Sequence, residues 1–186
     1  MKKVLIPSLI ILGLNLSAFS QGMNQNLGNG NNMGIGLNPV LLLFEWVSGE
    51  VNLWNVSRSA EINIPFQYVK NPFVFDDENE DWDLRYYTIG VYYRYFFSQK
   101  QEGFFAQAGW QYAGASVKEG GQEATGSLNS ILFGFGYRLI SDGGLFWGCG
   151  LSVGRAWGKV EAPDGDEVQG SGLNIDIDLL KFGYAW

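Results

Sequence analysis

Histidine is missing from the chain's 186 residues, and Cys149 is its only cysteine. Without imidazole there is no Ser-His or Cys-His nucleophile pair, no histidine metal site and no histidine acid-base step. A single cysteine excludes an intramolecular disulfide, so stability has to come from burial and hydrogen bonding. Basic residues are scarce as well, 12 against 19 acidic. That balance opposes binding to nucleic-acid phosphates and gives no polybasic pull toward anionic lipid. No segment past the N-terminal residues holds the roughly 18 consecutive apolar residues of a spanning helix. If the chain enters a membrane, strands must carry it.

What is present is aromatic residues at 16% and 26 glycines, a composition suited to many short strands joined by turns. The first 20 residues have the layout of a secretory signal peptide: Lys2 and Lys3, an apolar run from Val4 to Leu14, then Ala18 and Ser20 around Phe19. Cleavage is expected before Gln21. The run is interrupted by Pro7 and Ser8 and is too short for a membrane anchor, and no cysteine follows it to make a lipoprotein. Loss of Lys2 and Lys3 leaves ten basic residues and a formal charge of −9. Residues 21–36, rich in Asn and Gly, read as a disordered leader, and residues 37–186 as one β-barrel domain.

From Ala60 onward the period is two. Ala60, Ile62, Ile64, Phe66 and Tyr68 oppose Glu61, Asn63, Pro65 and Gln67. The same alternation runs through Arg85 to Phe97, Phe104 to Tyr112, Ile131 to Arg138 and Leu145 to Gly154. Seven glycines, at 90, 109, 134, 136, 148, 150 and 154, share the second face with Tyr86, Tyr92, Phe105 and Phe146. A narrow interior needs small residues beside large ones, which puts that face inside and the bulky apolar face against lipid.

Short links at Ser98 to Glu102 and Ser141 to Gly143 alternate with long polar segments at Lys70 to Asp81, Gly114 to Gly126 and Lys159 to Gly170. Short periplasmic turns and long external loops predict that asymmetry. With a last strand over Leu173 to Trp186 the count reaches six, and closure of an even barrel requires one more hairpin, expected at Pro39 to Trp46 and Glu50 to Asn55 with a turn at Ser48 and Gly49. The expected fold is an all-β, closed, antiparallel up-and-down transmembrane barrel of eight strands. Pro65 lacks an N–H and predicts a bulge or a strand end. In the last strand Leu173, Ile175, Ile177 and Leu179 have one parity and Phe182, Tyr184 and Trp186 the other, which predicts a β-bulge between Leu179 and Phe182.

The closing residues Lys181-Phe182-Gly183-Tyr184-Ala185-Trp186 place aromatics on alternate positions and end on one. They resemble the C-terminal assembly signal of outer-membrane barrels, and the strand-turn rhythm from Asn38 onward resembles the small eight-stranded OmpA/OmpX-like group. In that signal a glycine often stands where this chain has Lys181. The resemblance implies that Phe182, Tyr184 and Trp186 are read by the barrel-assembly machinery, and that outer-membrane lipid and lipopolysaccharide are the surroundings of a monomer in the cell outer membrane.

Glu61, Arg94, Arg138, Asp176 and Asp178 all fall on the inward face, where a narrow lumen predicts a structural network of ion pairs. No catalytic, cofactor or metal site is read from them, although the pair Asp176 and Asp178 would be the place for a carboxylate enzyme. The acidic segments Asp76 to Asp81 and Asp164 to Glu167 carry oxygen ligands of the kind that hold divalent ions, which lipopolysaccharide phosphates would share, without matching an EF-hand. Arg155 beside Trp157 could meet the same phosphates. The function expected is a non-enzymatic, structural, adhesive or surface-interaction role through the external loops. The alternative is a soluble lipocalin-like calyx for an apolar ligand, which needs the bulky faces inside.

Overall fold

The computed structural model describes residues 33–54, 59–71, 82–98, 101–119 and 121–186. Residues 1–20, the expected signal, lie outside them, as do 21–32 of the expected leader. Strands are β1 (Met33–Leu37), β2 (Trp46–Trp54), β3 (Ala60–Lys70), β4 (Trp82–Phe96), β5 (Gly103–Glu119), β6 (Gln122–Ile140), β7 (Leu145–Glu161) and β8 (Glu167–Ala185), with one helical turn, α1 (Pro39–Leu42), between β1 and β2. Each strand pairs antiparallel with the next, and β1 pairs with β8, so the up-and-down sheet closes in a ring. Stepping across partners from Gly34 through Asn52, Asn63, Tyr92, Gly109, Leu132 and Gly154 arrives at Asn174 on β8, yet Gly34 itself pairs with Ala185. That stagger is the shear that tilts the strands of a closed sheet.

The first hairpin differs from the expected one. Met33–Gly36, assigned to the leader, form most of β1, and Pro39–Leu42 turn into a helix. The cause is local: the Asn38 side chain accepts from the N–H groups of Val40 and Leu41, and Pro39 occupies the first helical position, where its fixed φ and missing N–H do no harm. Ser48 and Gly49 are strand residues, not a turn. A Cβ on Gly49 would stand 2.7 Å from the Phe66 ring and 2.8 Å from the Gly36 carbonyl oxygen, so close strand packing accounts for this glycine.

Pro65 neither ends β3 nor bulges it. Pairing with β4 lapses at Ile64 and Pro65 and resumes at Phe66↔Ile89 in the same register, while Pro65 keeps its place opposite Glu50. Gly90 leaves the room: a Cβ there would lie 3.3 Å from the proline ring.

Two of the three segments read as long loops are largely strand. β5 and β6 pair without interruption from Gly103↔Arg138 to Glu119↔Gln122, and β7 and β8 reach Glu161↔Glu167. Polar residues on both faces hid these hairpin tops from a search for alternation. Of the third segment, 72–81, which contains the acidic run, nothing lies within the described residues.

The bulge in β8 is present. Gly150 pairs with Asp178 and Gly148 with Lys181, so Leu179 and Leu180 together oppose Cys149. Before it Asp176 and Asp178 face inward; beyond it Lys181 is buried and Phe182 and Trp186 are exposed on the outer face.

Candidate functional site

The outer wall is apolar. Phe104 and Phe133 are each 64% exposed and Phe135 63%, and Ile89, Val91, Tyr93, Ile131, Val153 and Ile175 continue the same surface. The interior is polar. Glu50, Asn52, Glu61, Asn63, Arg94, Gln107, Arg138 and Lys181 are buried there.

The interior charges form one network. Glu61 takes Arg94 Nη1 at 3.0 Å and Arg138 Nη1 at 2.6 Å. Glu50 takes Arg94 at 3.3 Å, Arg138 at 3.2 Å and Lys181 Nζ at 3.1 Å, and Lys181 also meets Asp178 at 2.7 Å. Neutral groups complete the coordination: Asn52 and Asn63 donate to Glu50 at 3.0 Å each, and Arg94 Nε donates to Gln107, which donates on to Ser152. Buried charges survive only when paired and hydrogen-bonded in this manner.

Aromatic rings hold the guanidinium groups in position. The Arg138 guanidinium carbon lies 4.8 Å from the Phe146 ring centroid and 5.3 Å from that of Phe96; that of Arg94 is 4.9 Å from Phe105. Glycine makes space for the rings: a Cβ on Gly136 would collide with Phe105, and one on Gly109 would come 2.6 Å from the Tyr92 ring. The cavity beside the network, lined by Glu50, Arg94, Asp178 and Lys181 among others, is about 10 Å³, room for one water.

Of the residues singled out from sequence, the structure brings together Glu61, Arg94, Arg138 and Asp178. Asp176 stands apart, facing the lumen opposite Ser152 with no hydrogen-bond or salt-bridge partner among the described residues. Sequence reasoning missed Glu50 and Lys181, two centres of the network. Glu50 alternates with Val51 in Glu50-Val51-Asn52-Leu53, a signal overlooked because a turn was drawn at Ser48 and Gly49. Lys181 has the parity of an outward residue until the bulge is counted.

Above the apolar belt the hairpins carry exposed pairs. Lys159 Nζ meets Glu167 at 2.9 Å, Lys118 meets Glu123 at 3.0 Å, and Arg85 meets Asp83 at 2.9 Å. Hydrogen bonds from Lys159 and Gln169 hold the Glu167 carboxyl below its ordinary range, and Glu167 raises Lys159 in return. Arg155 donates to Ser171 at 3.2 Å. No group of carboxylate, cysteine or histidine residues that could hold a metal ion occurs among the described residues. No protein-family model, curated protein or solved structure matches this chain.

Proposed function

We propose that the chain is an integral outer-membrane barrel without enzymatic chemistry, whose work is surface interaction through its outer hairpins. The observation that carries the reading is the inversion of polarity: bulky apolar side chains cover the outside of a closed sheet whose inside holds a charged network. Hydrocarbon tolerates such a surface, and where β1 pairs with β8, from Ala185 to Phe182, closure satisfies backbone groups that an open sheet would leave bare.

Two further features fit. The turns at one end are tight, as at Ser141 to Gly144, whereas β5–β6 and β7–β8 rise well beyond the belt at the other. A lumen crossed by ion pairs and rings, whose cavity beside the charged network has room for about one water, does not suit a wide channel or an apolar ligand pocket. The soluble calyx would need Phe104, Phe133 and Phe135 inside, and they are outside.

Epitope insertion on intact cells tests the orientation on which the role depends. A tag at Gly165, in the β7–β8 connection, should bind antibody without permeabilisation, and a tag at Asp142 only after it. The reverse pattern, or access to both only after lysis, would refute the surface role.

A further inference from the structure

The ring has a seam. β1 is five residues long and pairs with β8 only from Ala185 to Phe182, whereas β8 continues to Glu167. From Lys181 outward no strand pairs with that edge of β8 among the described residues. Where β1 would continue stands α1, a single turn packed against both β2 and β8, followed by the exposed Leu43 and Phe44. The bare edge lies within the apolar belt, since Leu173, Ile175 and Ile177 are exposed on its outer side. An edge that no described strand pairs at that depth favours a hydrogen-bonding occupant.

Behind the seam the charges do not balance. Among the described residues four inward carboxylates, Glu50, Glu61, Asp176 and Asp178, face three inward cations, Arg94, Arg138 and Lys181. The cations are all engaged by Glu50, Glu61 and Asp178. Asp176 is left over, on the strand that borders the seam. Tyr92 also faces the lumen, 1% exposed, and its buried hydroxyl has no hydrogen-bond partner among the described residues.

We propose that the seam between β8 and α1 is a binding site for a single-chain amphiphile with a protonated amine head, the ammonium meeting Asp176 and the chain lying in the bilayer along Ile175, Ile177, Leu43 and Phe44. A carboxylate head is excluded by Asp176 itself. This rests on the membrane reading above and adds a ligand class to it.

The test uses the full mature chain in nanodiscs of zwitterionic lipid, titrated with dodecylamine, dodecanol, dodecanoate and methylamine while amide chemical shifts are followed. Dodecylamine should give saturable shifts confined to Asn174–Asp178 and Val40–Phe44, and Asp176→Asn should weaken that binding at least tenfold with the remaining spectrum unchanged. Equal responses to all three long chains, or an unchanged affinity in Asp176→Asn, would overturn the proposal. Methylamine binding as tightly as dodecylamine would also overturn it, because the seam would then play no part. A dimer joined along β8 and indifferent to amine would assign the edge to a second copy instead. A chain that does not enter nanodiscs at all would fail the membrane reading, whereas a well-incorporated chain that ignores dodecylamine fails only the ligand.

Discussion

Arg138 on β6 reaches across the lumen to Glu61 on β3 and meets it at 2.6 Å, although the two strands are never neighbours in the sheet. The contact ties opposite walls together where the sheet's own hydrogen bonds cannot. Breaking one member of such a pair leaves the other charge buried, a loss of about 3–5 kcal/mol. Glu61→Gln is therefore expected to lower the urea midpoint of the refolded barrel substantially, and Glu61→Met with Arg138→Met to recover much of that loss. A single variant as stable as the unaltered chain would mean that Glu50 and Arg94 can rebalance the network unaided.

The bulge at Leu179 and Leu180 sets which residues of β8 face outward. Deleting Leu180 removes the bulge together with the parity conflict it resolves, so Asp176, Asp178 and Lys181 stay inward and Phe182 and Trp186 outward in an unbroken ladder with β7. The expected outcome is refolding to the same compact, heat-modifiable band as the unaltered chain. Loss of that band, or inward-facing Phe182 and Trp186, would contradict this.

Alternation was legible in Ala60 to Gly154 because an apolar outer wall and a narrow lumen both impose it, residue by residue. The bulge was legible for the same reason, through conflicting parities. What escaped was structure set by other forces. Asn38-Pro39 is a helix-start signal, but it opens the stretch Pro39 to Trp46 that barrel closure alone would make a strand. The tops of β5 to β8 are wet on both faces, so pairing there leaves no apolar period, and residues such as Ser116 and Thr125 were read as loop although they are partners. Lys181 and Glu50 were lost with those misplaced boundaries.

A charge on the outer wall separates lipid from water. Phe133→Arg, within the belt, should cost about 2–4 kcal/mol in a bilayer, measured as a shift in the unfolding midpoint in vesicles. In a water-soluble barrel the same change would be neutral or would improve solubility. A neutral result in vesicles would contradict the lipid-facing assignment of this strand.

The β7–β8 hairpin should respond to pH through Lys159 and Glu167. The Glu167 carboxyl lies below its ordinary range, chiefly because Lys159 donates to it, so its contribution is present above that range and is lost as pH falls through its folded value. Lys159 is raised by the same hydrogen bond, and its contribution is lost as pH rises through its folded value. Both are exposed, so the effect is local and weakened by salt. The protection factors of Val160 and Val168, paired across the hairpin, taken relative to intrinsic exchange at each pH, should be highest between those limits, and Glu167→Gln should flatten the profile. A profile unchanged in Glu167→Gln would show that the backbone ladder alone sets the protection.

Partition of the expressed protein between membrane and soluble fractions tests the central claim most directly. Cells expressing it are lysed, washed with alkaline carbonate and separated on a density gradient. The account predicts the protein in the carbonate-resistant outer-membrane band, migrating faster unboiled than boiled on a denaturing gel. Recovery in the soluble periplasmic or secreted fraction, with no heat-dependent mobility, would contradict it.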